Sequence, residues 1–387
     1  MKSVVVSKRG ADRIRSGHLW VYRSDVTPTK GVEDGSVVRI RDPHGNFLAL
    51  ALFSSASEIS LRVLTQTDEP IDRDWWHRRI LEAASRREKI SADTNAYRLV
   101  YSEGDLLPSL IIDRYADIFV LQTLSQGTEA IKSMLVDLLV AEFQPRAIIE
   151  RNDVRVRELE GLEMISSILY GNAPTELEIE QHGIKVIVAP LGGQKTGAFL
   201  DQRENRLAAA TLARGRALDC FTFSGGFALH LAGACDSVLG VDISKESISA
   251  AQRNAELNGI ANVEFRERNV FDSLRDFETR GERFDTIVLD PPAFAKNRAS
   301  LPAARRGYKE INLRALKLLN PGGVLITCTC SYQVSESLFL DLIAEAANDA
   351  HRRVQVVEKR MQASDHPVLL TVPETYYLKC VIARVIN

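Results

Sequence analysis

Arg216-Ala217-Leu218-Asp219-Cys220-Phe221-Thr222-Phe223-Ser224-Gly225-Gly226-Phe227 is the stretch on which the fold turns. A short apolar run carries a carboxylate, bends through two glycines and enters a helical pattern over residues 226–234. Glycine lets a backbone turn sharply and approach a ligand closely. The alternation continues downstream. Strands are expected at 237–241, 263–266, 284–289 and 323–328, and helices at 245–258, 308–319 and 335–350. A strand at 185–188 leads in, and strands around 354–357 and 377–385 close the pattern. Strands alternating with helices predict an α/β fold with a doubly wound, mainly parallel sheet. Ligands bind such sheets beyond the carboxyl ends of the strands.

Upstream the character differs. Residues 1–70 read as a small β-rich module, a compact barrel with strands at 36–40, 47–53 and 59–64 and a short basic helix at 8–17. Residues 71–183 read as a central α/β segment. It has helices at 72–90 and 129–143 and strands at 110–113, 118–122 and 147–150, a small mixed sheet with helices on one side. Three domains are therefore expected, at 1–70, 71–183 and 184–387.

A hydrophobic share of 45% against 26% charged residues gives a chain of 387 residues ample material for packed cores, so disorder is not expected. A net charge of −2 excludes a wholly basic protein. It leaves room for RNA on local basic faces, of which Lys8, Arg9, Arg13, Arg15 and Arg23, then Arg73, Arg78, Arg79, Arg86, Arg87 and Lys89, are candidates. The five cysteines are widely spaced, odd in number and without a CxxC pair. That speaks against a disulfide framework and a structural zinc site, and no metal is expected. No apolar run approaches the roughly 20 residues of a membrane span. A reducing cytoplasm is the expected compartment.

The turn lacks both the GxGxxG fingerprint and the GxxxxGK[ST] phosphate loop. Its ligand therefore need not carry a pyrophosphate. Asp242 ends the next strand, where a carboxylate can accept both hydroxyls of a ribose. Asn269 ends the third, where an amide can accept from an adenine amino group and donate to a ring nitrogen. With Asp219, Phe221, Ser224, Gly225, Gly226, Ile243 and Val270 beside them, these positions suit an adenosyl ligand with an amino-acid tail. S-adenosylmethionine is the candidate cofactor.

Asp290-Pro291-Pro292-Ala293-Phe294 follows the fourth strand. Two prolines stiffen the backbone and remove two donors, so carbonyls and the Asp290 carboxylate face a base amino group uncontested. Phe294 is placed to stack on a flipped-out base. Thr327-Cys328-Thr329-Cys330-Ser331 ends the next strand. C5 of cytosine is a poor nucleophile, and thiolate addition at C6 makes it enamine-like. Cys330 lies past the strand end and is the candidate nucleophile. Cys328, Cys220 and Cys235 read as packing.

Together these residues resemble the ribosomal RNA large subunit methyltransferase I family, the cytosine-C5 enzymes of 23S rRNA. The resemblance covers nearly the whole chain. It is carried by three long stretches, residues 151–162, 192–205 and 307–313. It implies an N-terminal PUA domain, a central RRM-like domain and a Rossmann-like class I methyltransferase domain, with S-adenosylmethionine as donor and large-subunit ribosomal RNA as partner. It puts the family's catalytic cysteine on Cys330 and its catalytic aspartate on Asp290, and lays Gln202 and Arg203 over the cofactor. Asn269 departs from it, since an aspartate is usual there. Some members pair, so a homodimer is compatible with it. Two other readings stay open. One is methylation of guanine or an exocyclic amine through Asp290-Pro291-Pro292 without a thiol. The other is an RNA-binding assembly factor that has kept the fold without catalysis.

Overall fold

The computed structural model describes residues 1–28, 31–192, 197–295 and 297–387. Part of one resemblance-bearing stretch, Gly193–Thr196, lies outside the described residues. The chain divides into two compact units. The first holds Met1–Ile179, Val188–Leu200 and Asp365–Thr375, and the second Glu180–Ile187, Asp201–Ser364 and Tyr376–Asn387.

The first unit contains two five-stranded sheets. One is built from Ser3–Val5, Trp20–Tyr22, Val37–Arg41, Phe47–Phe53 and Ile59–Thr65. Its first strand runs parallel to the third, and an antiparallel bridge between Val6 and Val26 brings its two edges together. This gives the expected barrel-like module, with the helix Lys8–Arg15 capped by the Ser7 side chain. Two of its strands are only three residues long, too short to announce themselves by alternation.

The other sheet runs in chain order from Ala96–Tyr101 to Ser166–Gly171. One parallel pair, Ile118–Thr123 with Ala147–Arg151, is joined by a helical crossover. The expected layering, a mixed sheet with helices packed on it, is present, while the strands neighbour one another in sequence order rather than in a split βαββαβ arrangement. The helix expected at 129–143 is two pieces, Gln126–Ala130 and Lys132–Phe143. Trp75, Trp76, Ile80, Leu135 and Leu139 bury against Leu99, Phe119 and Ile148 to form its core.

The second unit carries the sheet that matters most for chemistry. Its strands are β1 (Arg216–Cys220), β2 (Ser237–Asp242), β3 (Val263–Glu267), β4 (Phe284–Leu289), β5 (Leu319–Thr329), β6 (Val354–Met361) and β7 (Lys379–Val385). The sheet order is β3-β2-β1-β4-β5-β7-β6. Strands β1 to β5 are parallel, and β7 inserts antiparallel between β5 and β6. Order reverses between β1 and β4, so a crevice opens there at the carboxyl ends.

Among the described residues, six helices cover the faces: α1 (Arg203–Leu212), α2 (Gly226–Leu231), α3 (Lys245–Leu257), α4 (Val270–Thr279), α5 (Leu301–Leu318) and α6 (Glu336–Asp349). Two separate cores confirm the double winding. One packs α4, α5 and α6 residues such as Leu274, Tyr308 and Phe339 against Leu218, Ile287 and Val381. The other packs Ala209, Leu229 and Ile248 against Val238, Ile326 and Cys328. Helix α5 begins at Leu301 rather than 308, because Pro302 sits at the start of a helix, where its missing N–H costs nothing. Helices α1 and α4 are additions to the expected pattern. Among the described residues, no helix is long and apolar enough to cross a membrane, and no cluster of three or more His, Cys, Asp or Glu side chains is arranged to hold a metal.

Candidate active site

The turn after β1 is strained where it bends. Phe221 and Phe223 both take positive φ, 65° and 50°, on either side of Thr222, and Gly225 takes 85°. Left-handed backbone is disfavoured for a bulky side chain and persists where surrounding structure enforces it. Here the enforcing groups are visible. Asp219 Oδ2 accepts from the Thr222 hydroxyl at 2.6 Å and from the Ala228 amide at 2.9 Å. Asp242 Oδ2 accepts from the Phe223 amide at 3.0 Å, and its Oδ1 from the Ser244 amide at 2.9 Å. A side chain at Gly226 would collide with the buried guanidinium of Arg206 at 2.8 Å.

Asp219 is buried, and its Oδ1 has no hydrogen-bond partner among the described residues. Burial pushes its carboxyl up to about 7, with the bonds from Thr222 and Ala228 pulling the other way, Asp290 adding to the rise and Arg206 opposing it. Ile243, directly after Asp242, is 67% exposed. Val270 is buried at the start of α4. Asn269 is exposed and serves as the N-cap of α4, its Oδ1 accepting from the Phe271 and Asp272 amides at 2.9 and 3.3 Å. That oxygen was expected to be open to an adenine amino group, and helix capping engages it first.

Asp290 follows β4 and is held from α1. Gln202 Nε2 donates to Asp290 Oδ1 at 2.8 Å, and Asn205 Nδ2 donates to Gln202 Oε1 at 2.7 Å. Arg360 Nε donates to Asn205 Oδ1 at 3.0 Å. A relay of four side chains thus sets the orientation of the carboxylate. Arg203 is buried beside it. Pro291 is buried and Pro292 exposed. Phe294, expected to be available for stacking, belongs to a ring cluster, 4.7 Å from Tyr308, 6.1 Å from Phe271 and 6.4 Å from Phe221 between centroids.

Cys330 is the one half-buried thiol, the other four cysteines being buried. Its two neighbours are clamped. The Thr329 hydroxyl donates to Tyr308 Oη at 2.8 Å, and Tyr308 Oη lies 3.0 Å from Ser331 Oγ. Ser331 Oγ also accepts from the Ala295 amide at 3.1 Å, tying the end of β5 to the proline loop. Cys328 sits opposite Cys380 in the β5–β7 register, within the core. Burial raises its thiol well above the ordinary range, which agrees with a packing role.

Sequence reasoning missed Tyr308, Asn205, Arg206 and Arg360. Asn205 and Tyr308 did fall in resemblance-bearing stretches, and that was the only signal. It also missed three exposed arginines after the proline loop, Arg298, Arg305 and Arg306, none of which has a carboxylate at ion-pair distance among the described residues. The basic clusters it did pick are largely engaged. Arg9 pairs with Asp25, Arg15 with Asp42 and Arg78 with Glu69, while Arg87 is buried against Asp105.

Sheet order, turn and strand-end carboxylates define a Rossmann-like, S-adenosylmethionine-dependent methyltransferase. The S-adenosylmethionine-dependent methyltransferase family matches residues 153–374, and the PUA-like domain family matches residues 4–66. The Ribosomal RNA large subunit methyltransferase I of Tolumonas auensis is 43% identical over 95% of this chain and 96% of its own. The protein of the same name from Klebsiella pneumoniae is 41% identical over 99% of this chain and 98% of its own. The chain therefore belongs to the ribosomal RNA large subunit methyltransferase I family. The same fold is seen in SMU.776, solved in complex with SAH, at a TM-score of 0.86 and 22% identity with full coverage of both chains.

Proposed function

We propose that this protein methylates C5 of a cytosine in large-subunit ribosomal RNA, with Cys330 as nucleophile. The reading rests above all on Cys330: it is the one cysteine not buried, and it is clamped on both sides at the end of β5, next to the strand that delivers Asp290. We further propose domain boundaries near residues 70 and 183 and a cytoplasmic location.

The residues suit the cofactor. Asp219 offers a buried, unpartnered carboxylate oxygen for an ammonium group. Asp242 keeps a lone pair on each oxygen for a ribose diol after its two backbone bonds. Ile243 presents an exposed apolar face for adenine, flanked by Asn269 and Val270. Ser224, Gly225 and Gly226 form the turn into α2, and with Phe221, Gln202 and Arg203 they are the remaining proposed cofactor contacts. When bound, S-adenosylmethionine supplies an electrophilic methyl group on a sulfonium.

The chemistry then follows from the chain's own groups. The Cys330 thiolate adds to C6 of the base, and the C5=C6 electron pair shifts to make C5 nucleophilic. C5 would take its methyl group from the bound donor, the C–S bonding pair remaining with the donor sulfur. A base then removes the C5 proton, the C5=C6 bond re-forms and the thiolate departs. Asp290, oriented by the Gln202 bond to its Oδ1, is the proposed acceptor for the cytosine amino group, with Asp290 or a water taking the C5 proton. Pro291 and Pro292 hold that loop rigid and Phe294 anchors it. Exposed Arg298, Arg305 and Arg306 suit RNA phosphates beside the site.

The test is nucleoside mass spectrometry of ribosomal RNA incubated with methyl-labelled S-adenosylmethionine. Labelled 5-methylcytidine is expected with the wild type and none with Cys330→Ala, while cofactor binding by calorimetry stays unchanged. A labelled guanosine or N-methyl product, or label indifferent to Cys330, would sink the thiol mechanism.

A further inference from the structure

Lysine is rarely buried without an anion beside it, because an isolated ammonium out of water is costly. Lys379 opens β7 and is only 3% exposed. Its Nζ donates to the Tyr377 carbonyl at 3.3 Å and lies 4.9 Å over the Tyr376 ring. Among the described residues, no carboxylate lies within ion-pair distance of it. Glu336, on α6, is held elsewhere, by Lys359 at 2.6 Å and by the Tyr376 hydroxyl at 3.0 Å. One carbonyl and one ring face are poor compensation for a full charge.

The register supplies what is missing. Lys379 pairs with Thr329 across the antiparallel β5–β7 ladder, and the next residue along β5 is Cys330. Directly opposed residues on such a pair have Cβ atoms about 5 Å apart, and Cys330 lies past the end of the strand, where alternation no longer sends its side chain to the opposite face. Burial pulls the Lys379 ammonium down from its ordinary range, and the two groups that pull it back are Cys330 first and Glu336 second. From α5, Tyr308 is pushed up by burial and, to a lesser degree, by Cys330, so it stays a neutral hydrogen-bond partner of Thr329 and Ser331. From β4, Asp290 is a second negative group in the same crevice, and it opposes ionisation of a thiol there.

We propose that Lys379 is the counter-cation of the Cys330 thiolate, a positioning residue that holds the nucleophile ionised before RNA arrives. The thiol proton leaves to solvent and Lys379 keeps its own. The proposal rests on Cys330 being the nucleophile and deepens that reading. It explains why a buried lysine stands at the start of β7, two residues before the apolar Val381. An arginine at this place would carry the charge on a longer, planar group, and a methionine would fill the space with none.

The test reads the thiol directly. The rate of Cys330 alkylation by iodoacetamide is followed from pH 5 to 10 in the full-length protein, with the site assigned by tandem mass spectrometry. Buried Cys220, Cys235, Cys328 and Cys380 react slowly. The wild type is expected to titrate below the ordinary thiol value of about 8.5. In Lys379→Met the midpoint is expected to rise by about one unit, with alkylation near neutral pH about tenfold slower, and Lys379→Arg is expected to stay near the wild type. Calorimetric cofactor binding checks folding, and Lys379→Gln serves as a second neutral variant. Superimposable titrations of wild type, Lys379→Met and Lys379→Gln would overturn the pairing. If the midpoint shifts as expected but Cys330→Ala still methylates RNA, the pairing stands and the covalent mechanism falls.

Discussion

Asp219 carries the buried carboxylate oxygen proposed to meet the cofactor ammonium. Its carboxyl is raised to about 7, chiefly by burial, so the free folded protein holds that proton more tightly than the unfolded chain does. The associated stability is fully present at acid pH below the ordinary carboxyl value and is lost as pH rises toward 7. An ammonium ligand wants the opposite, ionised state. Affinity for S-adenosylmethionine is therefore expected to increase from pH 6 to 8, with proton release at pH 6 measurable by calorimetry in buffers of different ionisation heat. Asp219→Asn should flatten that dependence and raise the melting temperature of the free protein at pH 8. An affinity independent of pH in the wild type would remove Asp219 from the ammonium site. At this scale the sequence placed Asp219, Asp242 and Cys330 at the carboxyl ends of strands, and the structure has them at the ends of β1, β2 and β5. The sequence was opaque for Lys379 and Arg206, whose neighbours come from distant strands and helices.

Helix α4 illustrates a residue claimed by two tasks. Asn269 lies two residues past β3 and caps α4, and a side-chain oxygen engaged by two amides has limited capacity for a third donor. Asn269→Ala should lower stability by about 1 kcal/mol through loss of the cap, read by urea denaturation. It should also weaken cofactor binding several-fold. Asn269→Asp keeps the cap, adds a favourable charge at the helix N-terminus and should bind the cofactor more tightly than the wild type. Unchanged affinity in both variants would mean that adenine is held by other groups. The helix itself escaped the sequence reading because its buried face is narrow, with Val270, Leu274 and Phe277 as the apolar members beside Ser273, and is diluted by acids and arginines. Helix α1 escaped for a related reason, since its buried face includes Arg203, Asn205 and Arg206. A polar buried face defeats periodicity, and here it is polar because it feeds the relay to Asp290.

At the level of the whole chain, the second unit followed from alternation, and its order β3-β2-β1-β4-β5-β7-β6 was legible as a doubly wound sheet without the inserted antiparallel β7. The first unit was less legible because residues far apart in sequence complete it. Arg87 is buried, bonds both oxygens of Asp105 at 2.7 and 2.6 Å and donates to the Asp365 carbonyl at 2.8 Å. Arg87→Met strands a buried carboxylate that Arg86 only partly serves, and is expected to cost about 3 kcal/mol by urea denaturation. A loss under about 1 kcal/mol would mean that Arg86 takes over. Val372 is fully buried in the core of the N-terminal barrel-like sheet, with Leu369 packed against it. On the ribosome this reverses the usual order of completion. The barrel emerges first, yet the plug for its interior is not translated until residues 201–364 have been made. A nascent chain must therefore carry an unfinished barrel through synthesis of the catalytic sheet. Chains released early would lack a finished N-terminal barrel as well as the end of the catalytic unit.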